Sequence, residues 1–170
     1  KILIGLLALV FLLTLTACGK AIAPDAVQTQ SFTDSTGRTL TLPAEIKTIA
    51  ITGPLSQVYI LPLAGDMLVG VCNEFSADAA MYLPEEIFSK TEIGQLYGGK
   101  SEMDLEALLA AAPDIVIDIG EPKDSIASDL TALTEQTGIP FIHVDATVRT
   151  APDAYRTLGK LLNKEQKAEE

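Results

Sequence analysis

The feature that most constrains the fold is the alternation of short, apolar, β-branched runs with helical segments of about ten residues. Four runs are predicted as strands, 46–52, 68–72, 114–119 and 140–144, and residues 92–94 as a very short fifth strand. Strands that are joined by helices form βαβ units, which build a parallel sheet. The core of the third run, Ile-Val-Ile, has no polar alternation, which indicates burial on both faces. The sequence therefore predicts an α/β fold, a Rossmann-like lobe with a mostly parallel sheet flanked by helices.

Turn residues and prolines set the limits of the first elements. Residues 31–42 are predicted as a hairpin around the turn 34–37, because its glycine tolerates a positive φ. A helix over 54–64 begins with Pro54, which suits a first helical position. Pro62 lies near its end and is expected to kink or shorten it.

Capping residues mark two later helices. Ser101 is predicted as an N-cap, and Asp104 follows it three residues later, as in a capping box. Gly138 is expected to close an amphipathic helix over 123–136.

The last helical segment begins at Pro152. Residues 164–170 favour helix and show no cap, so we expect one continuous helix that is still under way at residue 170. The predicted organisation is a single lobe over 31–150, followed over 151–170 by the start of a longer helix.

The N-terminus has the pattern of a bacterial lipoprotein signal peptide. Lys1 precedes an apolar run that reaches Leu15, and Thr16-Ala17 precede Cys18. A basic start, an apolar stretch and small residues at the cut are typical of secretory signals. The run is shorter than the ~20 residues of a transmembrane helix, so an uncleaved anchor is disfavoured. We expect a signal peptide over 1–17, a lipid on Cys18 and a polar tether over 18–30.

Charge and composition argue against several classes of function. The formal net charge is −11, which opposes binding to nucleic acid. The sequence has one histidine, His143, whereas a zinc site of the usual kind needs several. Once Cys18 is lipidated, Cys72 has no cysteine to pair with, and we expect it to be a buried, unreactive side chain.

Candidate ligand-binding residues lie in the loops that follow the predicted strands, because α/β sheets bind ligands beyond the carboxyl ends of their strands. The loop 96–100 is the most suggestive. Its aromatic ring can stack on a flat ligand, and its lysine, before a helix start, can attract an anion. An ordinary glycine-rich connection explains the same residues equally well. The candidates are Gly53, Pro54, Leu55, Ser56, Asn73, Glu74, Phe75, Tyr97, Gly98, Lys100, Gly120 and Glu121.

No arrangement of catalytic residues is recognisable. The nucleophile motif Gly-x-Ser-x-Gly is absent. Asp114 and Asp118 flank a strand, but Asp114 is better explained by the turn that enters it. His143 lies in mid-strand and is predicted to be structural. We therefore expect no catalytic residue, no bound metal and no cofactor of the protein's own.

Several motifs, in this order and spacing, resemble the substrate-binding proteins of ABC importers that carry iron–siderophore, haem or cobalamin. They cover nearly the whole chain after the tether. The motifs are Thr33-Asp34-Ser35-Thr36-Gly37-Arg38 with Leu40-Thr41-Leu42-Pro43, Leu63-Ala64-Gly65-Asp66 with Leu68-Val69-Gly70-Val71, Ile93-Gly94, Asp104-Leu105-Glu106-Ala107-Leu108-Leu109 with Pro113-Asp114-Ile115-Val116-Ile117, Gly138-Ile139-Pro140, and Leu158-Gly159-Lys160-Leu161-Leu162.

This resemblance implies two Rossmann-like lobes joined by a long helix, with the ligand in the cleft between them. The chain matches the first lobe and the start of the helix. The resemblance also implies that Tyr97 presents an aromatic ring to the ligand and that Glu106 pairs with an arginine of the membrane permease. A carboxylate in a first helical turn is also favoured by the helix dipole alone.

The expected function is the extracytoplasmic capture of an iron chelate, haem or cobalamin and its delivery to an ABC permease with its ATPase. The cleft loops contain few arginines, and Glu74 and Glu121 make the cleft entrance acidic. The expected ligand is therefore haem, a neutral or cationic chelate or a corrinoid rather than an anionic ferric siderophore. We expect a lipid-anchored monomer that faces outside, on a Gram-positive-type surface or in a periplasm. A zinc- or manganese-binding protein of a related importer and an exported α/β hydrolase are the alternatives.

Overall fold

A computed structural model describes residues 28–98 and 102–170. The predicted signal peptide, Cys18 and nearly all of the tether lie outside the described residues, as do Lys100 and Ser101.

The first element of the described chain is the predicted hairpin, which is confirmed. Strand β1 (Thr29–Thr33) pairs antiparallel with β2 (Thr39–Pro43). Gly37 has a φ of 84° in the turn, a conformation that glycine adopts without steric cost. The turn docks on the last strand of the central sheet, where the Ser35 amide donates to the carbonyl of His143 at 3.0 Å.

Asp34 fixes this turn through a fully buried carboxylate. It accepts hydrogen bonds from the Thr36 hydroxyl at 2.7 Å, the Arg38 guanidinium at 2.5 Å and the His143 amide at 3.2 Å. The same guanidinium donates to the carbonyl of Phe141 at 2.9 Å. Burial alone raises the pKa of a carboxyl, but these donors and the positive charge of Arg38 hold the pKa of Asp34 below its ordinary value.

Five parallel strands form the central sheet, as the sequence predicts. Their bounds are Ile49–Ile51 (β3), Leu68–Val71 (β4), Thr91–Glu92 (β5), Ile115–Gly120 (β6) and Phe141–Asp145 (β7). The spatial order is β5-β4-β3-β6-β7. After β3 the chain moves outward to β4 and β5, then crosses back to β6 on the other side, so the strand order reverses between β3 and β6.

Helices cover both faces of the sheet. They are α1 (Pro54–Ala64), α2 (Leu105–Ala111), α3 (Ile126–Thr137), α4 (Ala151–Leu162) and the short α5 (Glu165–Ala168). Successive strand residues point to opposite sides. Ile49 and Ile51 therefore pack in one core with α1 and α4, while Ala50 packs in a second core with α2 and α3. The confirmed α/β lobe buries the inner strands of its sheet on both faces.

Some predicted helix limits are wrong. Asp104, not Ser101, caps α2, because its carboxylate accepts from the amides of Glu106 and Ala107 at 2.9 Å each. Helix α3 begins at Ile126, three residues after the predicted start, and ends at Thr137, with Gly138 as its C-cap as predicted. Pro62 does not shorten α1, which reaches Ala64 before a 3-10 turn.

The continuous helix predicted over 151–170 is also wrong. Helix α4 ends at Leu162 because Asn163 adopts the left-handed conformation, with φ of 55°. The amide of Lys164 then donates back to the carbonyl of Gly159 at 2.8 Å, as in a helix C-cap. Asparagine tolerates positive φ better than most residues, so the stop was readable from the sequence.

Candidate functional site

A cleft of about 580 Å³ opens at the carboxyl ends of β3 and β6, where the strand order reverses. Crevices of this kind are the general ligand sites of open α/β sheets. The lining comes from the loops after β3, β6 and β7 and from two tyrosines. It comprises Thr52, Gly53, Pro54, Leu55, Ser56, Tyr59, Tyr97, Asp118, Ile119, Gly120, Glu121, Lys123, Ile126, Ala146, Thr147 and Val148.

The first loop is held against β6. Gly53 is extended and precedes Pro54, the first residue of α1, so the N-terminal turn of this helix lies at the cleft. The buried Ser56 hydroxyl accepts a hydrogen bond from the Ile119 amide at 3.0 Å, so it serves the fold. Leu55 is exposed and offers an apolar surface to a ligand.

The base of the cleft carries a buried polar network that the sequence analysis did not assign to the site. Asp118 accepts hydrogen bonds from the Thr52 hydroxyl and, at 2.7 Å, from Nδ1 of His143. His143 is 1 % exposed and Asp118 is 9 % exposed. A hydrolase triad places the imidazole between nucleophile and carboxylate. Here the carboxylate lies in the middle, so the Thr52 hydroxyl has no imidazole beside it and the order of a triad is not reproduced.

Tyr97 lies at the cleft, as predicted, but its hydroxyl and one ring face have partners. The hydroxyl donates to Asp129 at 2.6 Å, and Nζ of Lys123 lies 3.6 Å from the ring centroid. Ser125 donates to the same carboxylate at 2.8 Å. Burial, together with Asp129, raises the pKa of Tyr97 well above its ordinary value. Tyr97 is therefore a neutral, oriented ring under a cation.

The loop after β4 does not reach the cleft. Asn73, Glu74 and Phe75 are absent from its lining, because β4 lies one strand away from the point where the order reverses. The Phe75 ring instead contacts Phe88, with centroids 6.1 Å apart. A ligand-binding role for these three residues remains a prediction that the cleft does not support.

Of the other predicted binding residues, some line the cleft and some do not. Gly120 and Glu121 line it, whereas Gly98 does not, and Lys100 lies outside the described residues. Thr52, Tyr59 and Asp118 also line the cleft, and the sequence did not predict them as site residues. An acidic residue near the end of a strand at the reversal point was the available indication for Asp118. Asp114 is not its partner, because it accepts from the Lys47 and Thr48 amides at the opposite end of β6.

Two negative findings concern the described residues alone. Within 28–98 and 102–170, no three histidine, cysteine or acidic residues are grouped so that they can hold a metal ion. In the same ranges, no helix has the length and apolar character needed to cross a membrane.

Comparison with known proteins finds no matching family model and no matching curated sequence. Solved structures do match. An ABC-transporter solute-binding protein from Sulfurospirillum deleyianum is 25% identical, with a TM-score of 0.69 over 81% of this chain and 43% of its own. The molybdate-bound periplasmic protein MolA of Haemophilus influenzae is 16% identical, with a TM-score of 0.63 over 82% and 48%. SirA of Staphylococcus aureus, complexed with staphyloferrin B, is 19% identical, with a TM-score of 0.54 over 83% and 44%.

The match at 25% identity is to an ABC-transporter solute-binding protein, and the two less identical structures share its fold. The resemblance to solute-binding proteins that the sequence predicts is confirmed by these matches, which cover part of each structure. The chain spans less than half the length of these structures. These neighbours are binding proteins rather than enzymes.

Proposed function

We propose that this chain is the ligand-capturing first lobe of an extracytoplasmic substrate-binding protein, which delivers a metal chelate, haem or a corrinoid to an ABC permease. The observation that carries the proposal is the cleft at the reversal point, lined by Leu55, Tyr59, Tyr97 and Val148. A mostly apolar cleft with a few placed polar groups is the usual form of a small-molecule site. The molybdate named for MolA supports capture of a metal-containing solute, and the staphyloferrin B named for SirA supports capture of a small molecule.

The exposed apolar side chains of the cleft support a ligand larger than an ion. Val148 is 99 % exposed, Leu55 is also exposed, and both line the cleft. Burial of such apolar surface under a ligand contributes roughly 25 cal/mol per Å² to the free energy of binding. A chelate with an organic shell gains this contribution, whereas a bare zinc or manganese ion does not, and the described residues supply no cluster of ligands for one.

Binding is tested on the full-length protein by thermal unfolding with a panel: ferric hydroxamate, ferric catecholate, ferric citrate, haemin, cyanocobalamin and molybdate. A true ligand at about 100 times its Kd stabilises the folded state by about 2.7 kcal/mol. Tyr97→Ala should weaken binding at least tenfold, because it removes a cleft ring. Tyr82→Ala is the matched control, because Tyr82 is exposed and outside the lining. No stabilisation by any member of the panel contradicts the proposal.

Docking to the permease is proposed for Glu106. Its side chain is exposed in the first turn of α2, and Leu109, one turn later, is also exposed. An exposed carboxylate beside an apolar side chain suits pairing with an arginine of the permease. Glu106→Arg should reduce transport at least tenfold and leave the ligand Kd unchanged. Glu135→Arg, an exposed position on α3, is the control, and equal transport by both variants rejects the docking role.

Location at the membrane completes the proposal. A lipid on Cys18 would hold the protein close to its permease and raise its effective concentration there. The tether over 18–30 would let the lobe move relative to its lipid anchor and contact the permease. Mass measurement of the protein extracted from membranes tests this: cleavage before Cys18 with a diacylglyceryl adduct supports it, and an intact N-terminus contradicts it.

A further inference from the structure

One buried charge dominates the base of the cleft. The charged residues of the lining are Asp118, Glu121 and Lys123, and the last two are exposed. Water and salt screen exposed charges, whereas buried charges are screened much less. Lys123, moreover, lies over the Tyr97 ring. A ligand that reaches the base of the cleft therefore meets the field of Asp118.

The hydrogen-bonding capacity of Asp118 is half used. An ionised carboxylate has about four acceptor positions on its two oxygens. One oxygen accepts from Thr52 and the other from His143, so each has a position left. The side chain keeps 12 % of its surface and lines the cleft. It can accept further hydrogen bonds but has none to donate.

The partners of Asp118 also prevent it from turning away. Thr52 directly follows β3 and His143 lies in β7, so donors from both sides of β6 hold the two oxygens. His143 is itself held, because its amide donates to Asp34 of the hairpin at 3.2 Å. While Nδ1 bonds to the carboxylate, Nε2 is buried and has no hydrogen-bond partner among the described residues. The arrangement presents a fixed acceptor to the ligand.

We infer that Asp118 determines the specificity of the cleft, with Thr52 and His143 as positioning residues. It selects chelates that place an N–H or O–H donor, or a positive charge, at the base. It rejects chelates that place a carboxylate, a catecholate or an oxyanion there. The inference rests on the proposed function and names the chemical class of its ligand: a neutral or cationic metal chelate that carries hydrogen-bond donors.

The experiment uses two probes that differ only in their terminal group. The ferric complex of desferrioxamine B has a free ammonium group, and its N-succinyl derivative has a carboxylate at the same end. Both hold iron identically. Titration calorimetry on the full-length protein should give a Kd at least tenfold lower for the ammonium form. Equal affinity, or preference for the carboxylate form, overturns the inference while leaving the proposed function intact.

Variants then assign the preference to this side chain. Asp118→Asn should reduce the ratio of the two Kd values to threefold or less, because the amide has no charge and offers a donor to the carboxylate probe. Asp124→Asn removes an exposed charge outside the lining and should keep the wild-type ratio. An unchanged ratio in Asp118→Asn overturns the assignment.

A second variant covers the case in which Asp118→Asn does not fold. Thr52→Val keeps the charge but removes one donor that positions it. It should raise the Kd of the ammonium probe at least fivefold, and the carboxylate probe should still bind more weakly than the ammonium probe. No change in either Kd overturns the inference. A wild-type protein that binds neither probe and no member of the panel overturns the proposed function as well.

Discussion

Replacement of Asp34 by asparagine should destabilise the lobe strongly, because the hairpin is held to β7 by this carboxylate. Asp34 has no exposed side-chain surface and its partner Arg38 keeps 16 %. Removing one member of a buried, hydrogen-bonded ion pair typically costs about 3–5 kcal/mol. The lower end applies, because Arg38 keeps its bond to the Phe141 carbonyl. Both carboxylate oxygens of Asp34 accept hydrogen bonds, so in either orientation the NH2 group of Asp34→Asn meets donors.

The assay is thermal unfolding followed by circular dichroism at neutral pH. A loss of about 3 kcal/mol lowers the Tm of a domain of this size by roughly 6–12 °C. Asp153→Asn is the matched control, because Asp153 also pairs with an arginine but is 81 % exposed. Exposed pairs contribute at most about 1 kcal/mol. Equal Tm values for the two variants would refute the reasoning.

The pH dependence follows from the lowered pKa of Asp34. A carboxyl whose folded pKa lies below its unfolded value, near 3.8, stabilises the fold at higher pH. This contribution is present above the unfolded pKa and is lost as the pH falls through the folded pKa. The Tm difference between wild type and Asp34→Asn should therefore shrink only below about pH 4. A difference that disappears between pH 8 and 6 would assign it to another group.

Two further predictions concern titration and reactivity. Asp129→Asn should lower the pKa of Tyr97, since it removes the negative charge beside the hydroxyl and replaces the carboxylate by a weaker amide acceptor. Spectrophotometric titration of tyrosinate checks this, and an unchanged titration contradicts it. Burial raises the pKa of the Cys72 thiol to about 11, so in a Cys18→Ser chain Cys72 should react with iodoacetamide at pH 8 far more slowly when folded than in denaturant. Equal rates contradict that burial.

The sheet was predictable because its strands are short and β-branched and the segments between them have helical length. Burial of β6 on both faces follows from its unbroken Ile-Val-Ile core. The end of α4 was missed because Asn163 stops it through a backbone conformation, whereas the prediction assigned continuous helix to 151–170. Local hydrogen bonds of this kind outweigh the helical preference of the following lysines and glutamates.

The candidate site was predicted in part for a topological reason. The rule that ligands lie at strand carboxyl ends identified the loops after β3 and β6. The spatial order of the strands then decides which loops meet, and that order places the loop after β4 away from the cleft. The network of Thr52, Asp118 and His143 joins three strands that are distant in sequence. No local pattern reports such a contact.

The most direct test of the central claim is to map the ligand onto the lobe by NMR. The full-length, ¹⁵N-labelled protein is titrated with the member of the chelate panel that stabilises it most. Amide shifts concentrated at Gly53–Ser56, Tyr97 and Gly120–Glu121, with little change around Phe75 and Phe88, would confirm the cleft at the reversal of strand order. Shifts concentrated around Phe75 and Phe88, with the cleft unchanged, would contradict the account.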